Sequence, residues 1–149
     1  MIYKWKAGAQ IRADANIAGA MCARLADEGR LTARALLDEN RPASAPLHDA
    51  FEWDDTAAAE LYREGQARQI IRCLCVVHEQ AEPTRAFFNI ERTAPNYNKI
   101  ETILQSEDDA EKLRRTVLGE LNAIRKKYQT INAFAEIWAA IDHAMEESS

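Results

Sequence analysis

The sequence predicts a mainly helical α+β fold: helices packed with a small antiparallel β-hairpin, closing in a C-terminal αα-hairpin. Three observations predict it. Apolar residues recur at helical spacing along most of the 149 residues. Alanine supplies much of the 47% hydrophobic content, and β-branched runs occur only as two adjacent stretches of matching length. The length is that of a single domain, read as a helical part over 1–69, a hairpin over 70–91 and a helical hairpin over 106–146.

Residues 1–12 open with Tyr3 and Trp5 alternating with Lys4 and Lys6, the pattern of a short strand or an extended arm that tucks aromatics against the body. Over 14–27, Ile17, Met21 and Leu25 recur every four residues beside Ala18 and Cys22, an amphipathic helix stopped by Gly29 as its C′ residue. Thr32 caps a second helix that turns Leu36 and Leu37 inward and ends at Arg41-Pro42. A third reads over 55–68, with Ala58, Leu61 and Tyr62 inward and Glu60, Arg63 and Glu64 outward. The grammar then changes. Residues 70–77 and 84–90 read as two strands joined by a turn over 79–83, a pair that needs helices or the N-terminal arm to be stable.

Residues 92–99 read as a loop, and Ile100, Ile103 and Leu104 anchor a short helical turn. Ser106 with Asp109 forms a capping-box-like start, with acidic residues at the positive end of the dipole. Leu113, Val117, Leu121, Ile124 and Tyr128 carry one stripe as far as the basic triplet 125–127. A last helix over 132–145 turns Phe134, Ile137, Trp138, Ile141 and Met145 inward.

The chain is organised around residues 42–55, which concentrate two prolines, two aromatics, a histidine and four carboxylates. Ser44 is suited to cap and Pro46 to open a short helix over 45–53. Leu47 and Phe51 would share its buried face, and His48 and Glu52 would pair at i, i+4. Asp54 or Asp55 would cap the following helix, with Trp53 as a hydrophobic staple.

A formal charge of −5 and a pI near 5.3, with the acidic excess spread along the chain, argue against a generic nucleic-acid binder. No basic-then-apolar leader and no apolar run of spanning length occurs, so a cytoplasmic protein without membrane contact is expected. Cys22, Cys73 and Cys75 are odd in number and form no C-x-x-C pair, as in a reducing compartment.

His48, Asp49, Glu52, Asp54 and Asp55 have the chemistry of a hard-metal or acid/base site, but no second ligand cluster completes it, and caps with an intrahelical pair account for them. Cys73, Cys75 and His78 fail as a zinc set because on a strand His78 lies opposite the cysteines. No catalytic, cofactor-binding or metal-ligating residue is therefore assigned. Short helices followed by a hairpin also follow a winged-helix order, in which Arg63, Arg68, Arg72 and Arg85 would contact the DNA backbone. The acidic wing tip and the acidic helix over 45–53 oppose that reading.

The residues Pro46-Leu47-His48 and Phe51-Glu52-Trp53-Asp54-Asp55, with Leu31-Thr32, Tyr62-Arg63, Gln66-Ala67-Arg68 and Ile71-Arg72, resemble a group of small proteins encoded by bacteriophages and prophages. The resemblance implies a mobile-element origin, a bacterial host cytoplasm and a non-structural accessory role, and it assigns no activity to any residue. The expectation is a non-enzymatic protein that binds a host or phage protein in preference to nucleic acid. Apolar side chains on both faces of the hairpin, and the αα-hairpin carrying Trp138, predict a homodimer.

Overall fold

In the computed structural model, which describes residues 1–54, 59–91 and 94–148, the aromatic–lysine alternation at the N-terminus forms strand β1 (Tyr3–Trp5). The contacts divide the chain into two units, Met1–Thr102 and Ile103–Ser149, each described by itself. Together the described residues form six α-helices and two small antiparallel sheets, a mainly helical α+β architecture.

In the first unit, helix α1 (Ala15–Asp27) begins where the Asp14 carboxylate accepts from the Asn16 and Ile17 amides at 2.8 and 3.0 Å. It ends in a Schellman closure: Gly29, at φ +68°, donates to Ala26 and Arg30 donates back to Leu25. Helix α2 (Ala33–Glu39) is capped by the Thr32 hydroxyl, which accepts from Ala35 at 2.9 Å, and Leu36 and Leu37 are fully buried.

The buried face of α1 differs from the expected one. Ala18, Gly19, Cys22 and Leu25 face inward, Met21 is half-buried, and Ile17 is 48% exposed. The cause lies in β1, which is anchored to α1 by the Tyr3 amide donating to Asn16 Oδ1 at 2.9 Å. Its Tyr3 ring lies on Gly19 so closely that a Cβ there would come within 2.2 Å of the ring carbons. Tyr3 then stacks on Phe87, with centroids 6.3 Å apart and planes 10° apart.

Helix α3 (Ala59–Cys73) continues through residues expected to be strand. Ile70 and Ile71 are both buried, which two neighbours on one strand cannot achieve against a single core face but which suits the centre of a helical stripe with Ala59, Arg63 and Ala67. Leu61 and Tyr62, expected inward, are 76% and 59% exposed, and Arg63, expected outward, is 5% exposed. The expected inward Ala58 lies outside the described residues.

The hairpin survives in shortened form. Strand β2 (Leu74–Val76) lies between β1 and β3 (Thr84–Arg85), with Tyr3 opposite Val76 and Cys75 opposite Arg85, so the arm supplies the third strand. The expected second strand splits after Arg85: β4 (Phe87–Phe88) pairs with β5 (Asn98–Lys99), residues expected to be loop. Phe87 is core, and Phe88 on the opposite face is half-buried under the Arg85 guanidinium at 4.9 Å. The Tyr97 amide bonds to the Leu31 carbonyl, and Lys99 pairs with Asp27 at 2.6 Å, which ties this small sheet to the α1–α2 turn.

Helix α4 (Ile100–Gln105) crosses the division between the units. In the second unit α5 (Glu107–Tyr128) is capped by Ser106, which accepts from the Asp109 amide at 3.3 Å. A 3-10 turn at Asn132–Phe134 leads into α6 (Ala135–Glu146), and the Arg125 guanidinium joins Asp142 across the pair at 2.8 Å. The stripe expected to face inward does so only in part: Ile141 is buried and Leu113, Trp138 and Met145 are half-buried, but the rest of it lies outside. Leu118 and Ile141 are buried, while Val117, Leu121, Ile124, Tyr128, Phe134 and Ile137 are exposed. No helix among the described residues is long and apolar enough to cross a membrane.

The Tyr3–Gly19 contact inverts an ordinary helix rule. Alanine in place of a helical glycine normally stabilises by about 0.5–1 kcal/mol. Gly65→Ala and Gly119→Ala, with open space at the Cβ, should raise urea midpoints accordingly. Gly19→Ala should lower the midpoint by the equivalent of about 1–3 kcal/mol, because the buried Tyr3 ring must move. A stabilised Gly19→Ala would show that the arm does not seat on α1.

Burial pushes the Cys22 thiol up to about 12 from its ordinary value near 9. The folded state thus keeps a proton that the unfolded chain releases, and stability should fall as pH rises past about 9. Thiol labelling near neutral pH should modify the half-buried Cys73 and Cys75 and reach Cys22 only in denaturant.

Candidate functional site

The corner over 42–54 makes few backbone bonds of its own. A run of i→i+3 links, Ala45 to Pro42, His48 to Ala45, Ala50 to Leu47 and Phe51 to His48, replaces the expected helix over 45–53, and only His48–Ala50 is a 3-10 turn. The reason is a competing partner. The Leu47 amide donates to the buried Asn40 side chain at 3.1 Å, so it cannot enter a helical ladder. Leu47 and Phe51 are buried as expected, Ser44 and Pro46 are exposed, and Ser44 makes no cap there.

Two side chains that sequence reasoning missed clamp this corner. From the end of α2, Asn40 donates to the Leu36 carbonyl at 2.7 Å, and its own carbonyl accepts His48 Nδ1–H at 3.1 Å. From α3, Arg63 Nε donates to the Glu52 carbonyl at 2.6 Å and Nη2 to the Asp54 carbonyl at 3.4 Å. Between them lies Trp53. Its Nε1–H donates to the His48 carbonyl at 2.8 Å, its ring stacks on His48 with centroids 4.7 Å apart, and the Arg63 guanidinium sits 5.0 Å from its centroid. Asn40 left no signal beyond its place before Arg41-Pro42. Arg63 left one: it occupies the i, i+4 row of Ala59, Ala67 and Ile71.

The expected His48–Glu52 pair does not form. His48 is committed to Asn40 and Trp53, whereas the Glu52 carboxylate accepts the Asp54 amide at 3.3 Å and the Glu52 amide bonds to Gln66 Oε1 at 3.0 Å. The expected cap at Asp55 lies outside the described residues. Among those residues no three His, Cys, Asp or Glu side chains converge as a metal site. His78, for its part, bonds to Thr84 at 2.8 Å.

One wall of an open groove of about 700 Å³ is this corner, from Asp49 to Glu52. The opposite wall is the outer face of α3, with Leu61, Tyr62, Gly65, Gln66 and Gln69, and residues 9–12 complete it. Its chemistry is mixed: exposed Leu61 and Tyr62, the amides of Gln10, Gln66 and Gln69, two carboxylates from Asp49 and Glu52, and one cation from Arg12.

The four arginines named for DNA do not share one role. Arg63 is buried in the corner, Arg68 pairs with Glu64 at 3.3 Å, and Arg85 donates to the Phe87 carbonyl at 2.9 Å with its guanidinium over the Phe88 ring, while Arg72 is exposed. Comparison of the chain with protein-family models, curated proteins and solved structures finds no match.

Because Asn40 and Arg63 hold one loop from two sides, their effects should be coupled. Asn40→Ala orphans the Leu47 amide, and Arg63→Met uncovers the Glu52 and Asp54 carbonyls, each costing about 1–3 kcal/mol by denaturant titration. The double variant should lose less than the sum, because the loop released by one change leaves little for the second to release. Strict additivity would mean the two clamps act on separate structures.

Proposed function

We propose that the protein is a non-catalytic binding protein that holds a segment of another protein in the groove between the corner and α3. The observation that carries this reading is the pair Leu61 and Tyr62. These large side chains stand exposed on the rim of a groove whose remaining lining is largely hydrogen-bonding. An aromatic and an aliphatic anchor beside amides able both to donate and to accept suit a polypeptide, which brings side chains to bury and a backbone to pair. The clamps fix the corner wall before binding, so little ordering entropy opposes association.

The acidic balance of the groove favours a neutral or basic segment over a phosphate backbone. A catalytic reading has less support. His48 spends its Nδ1–H on the Asn40 carbonyl and one ring face on Trp53, and it does not pair with Glu52. A bacterial-virus accessory role, as the resemblance implies, is compatible with this mode of action and is part of the proposal.

The test is affinity capture from infected and uninfected bacterial host cells, with a photo-crosslinking residue in place of Gln69 at the groove wall. A discrete protein should crosslink, and Tyr62→Ala should reduce its capture at least tenfold with an unchanged melting temperature, since Tyr62 is 59% exposed. Tight, salt-sensitive mobility shift of duplex DNA that Arg72→Ala weakens would instead establish the nucleic-acid reading.

A further inference from the structure

The binding reading leaves the second unit unused, and there a row of exposed apolar side chains occurs. Along α5, Val117, Leu121, Ile124 and Tyr128 follow at spacings of four, three and four, and Ile131 prolongs the row. Phe134 on the 3-10 turn and Ile137 on α6 are exposed as well, and each of these seven residues is between 37% and 54% exposed. A four–three–four seam is the pattern that packs helix against helix in a coiled coil or a four-helix bundle.

We propose that a second copy of this chain covers the seam, two α5–α6 hairpins packing across a two-fold axis into a four-helix bundle. Three arguments select that occupant. The first is size: a hairpin of two helices is below what folds on its own core, and doubling it gives a closed bundle. The second is area. The seven residues leave on the order of 600 Å² exposed per copy, so a pair covers on the order of 1,200 Å², the threshold of a stable interface. The third is self-complementarity. A two-fold axis midway between Leu121 and Ile124 sets Leu121 against the partner's Ile124 and Val117 against the partner's Tyr128, so apolar meets apolar throughout, as an isologous contact requires.

Sedimentation equilibrium of the full chain across low to high micromolar concentration should give a species of twice 16.8 kDa. Leu121→Glu and, separately, Ile137→Glu should each weaken dimerisation at least a hundredfold, whereas Thr116→Glu, away from the seam, should leave it within threefold. Hydrogen exchange of the unaltered chain covers the case in which a variant hairpin unfolds: amides over 117–137 should exchange more slowly as concentration rises. A monomer at every concentration overturns the proposal, whether the first unit or a foreign protein covers the seam. A dimer that both seam variants leave intact, or exchange over 117–137 independent of concentration, overturns it as well.

Discussion

The corner between α2 and α3 carries backbone groups that neither helix ladder satisfies, and Asn40 and Arg63 meet three of them: the Leu47 amide and the Glu52 and Asp54 carbonyls. Both are polar and at most 5% exposed, a state tolerated because the Asn40 amide meets the Leu36 carbonyl and the Met21 sulfur, and Arg63 meets the Glu52 and Asp54 carbonyls and the Glu60 carboxylate. Glu60 extends the system to the surface. It bonds to Arg41 and Arg34 and lies 3.4 Å from Arg63, and the Arg41 hydrogen bond, ahead of the other arginines, holds its carboxyl below the usual range. The two helices on either side of the corner are thereby tied to the same residues that tie the corner. Fixing the loop fixes the groove wall from Asp49 to Glu52.

Close approach by small residues does the rest. Gly19 admits the Tyr3 ring, and on α3 the small Ala59 and Ala67 are buried in the same row as Arg63. Small residues buy proximity, and the aromatic and leucine side chains around them supply most of the apolar area taken from water. The Tyr3–Phe87 stack then joins the first strand to the fourth, so the N-terminal residues belong to the core of the first unit.

The two units divide the apolar surface differently. The first keeps a continuous interior and presents Leu61 and Tyr62 at one groove. The second buries Leu118 and Ile141 and leaves a long row outside. A short helical pair has two apolar stripes and only one internal seam, so part of its hydrophobic pattern must find cover outside the pair or remain in water.

What the sequence determined by itself is local. Asp14, Thr32 and Ser106 cap their helices because a short side-chain oxygen meets its own helix amides whatever the rest of the chain does; Gly29 stops α1 for an equally local reason. The mainly helical α+β class followed from periodicity, whereas aromatic alternation at the N-terminus left a short strand and an extended arm both open, and only pairing with β2 decided for the strand. The sequence did not determine which way each helix faces. Ile17, Leu61 and Tyr62 were apolar at suitable spacing yet lie outside, and Arg63 lies inside, because the winning face was chosen by a glycine under a tyrosine ring and by carbonyls waiting for a guanidinium. Ile70 and Ile71 favoured a strand by intrinsic preference, but as neighbours on the buried side of α3 they gain more by staying helical. Tertiary structure alone also moved the Leu47 amide from a helix ladder to Asn40, since a partner seven residues away leaves no period for a sequence to display.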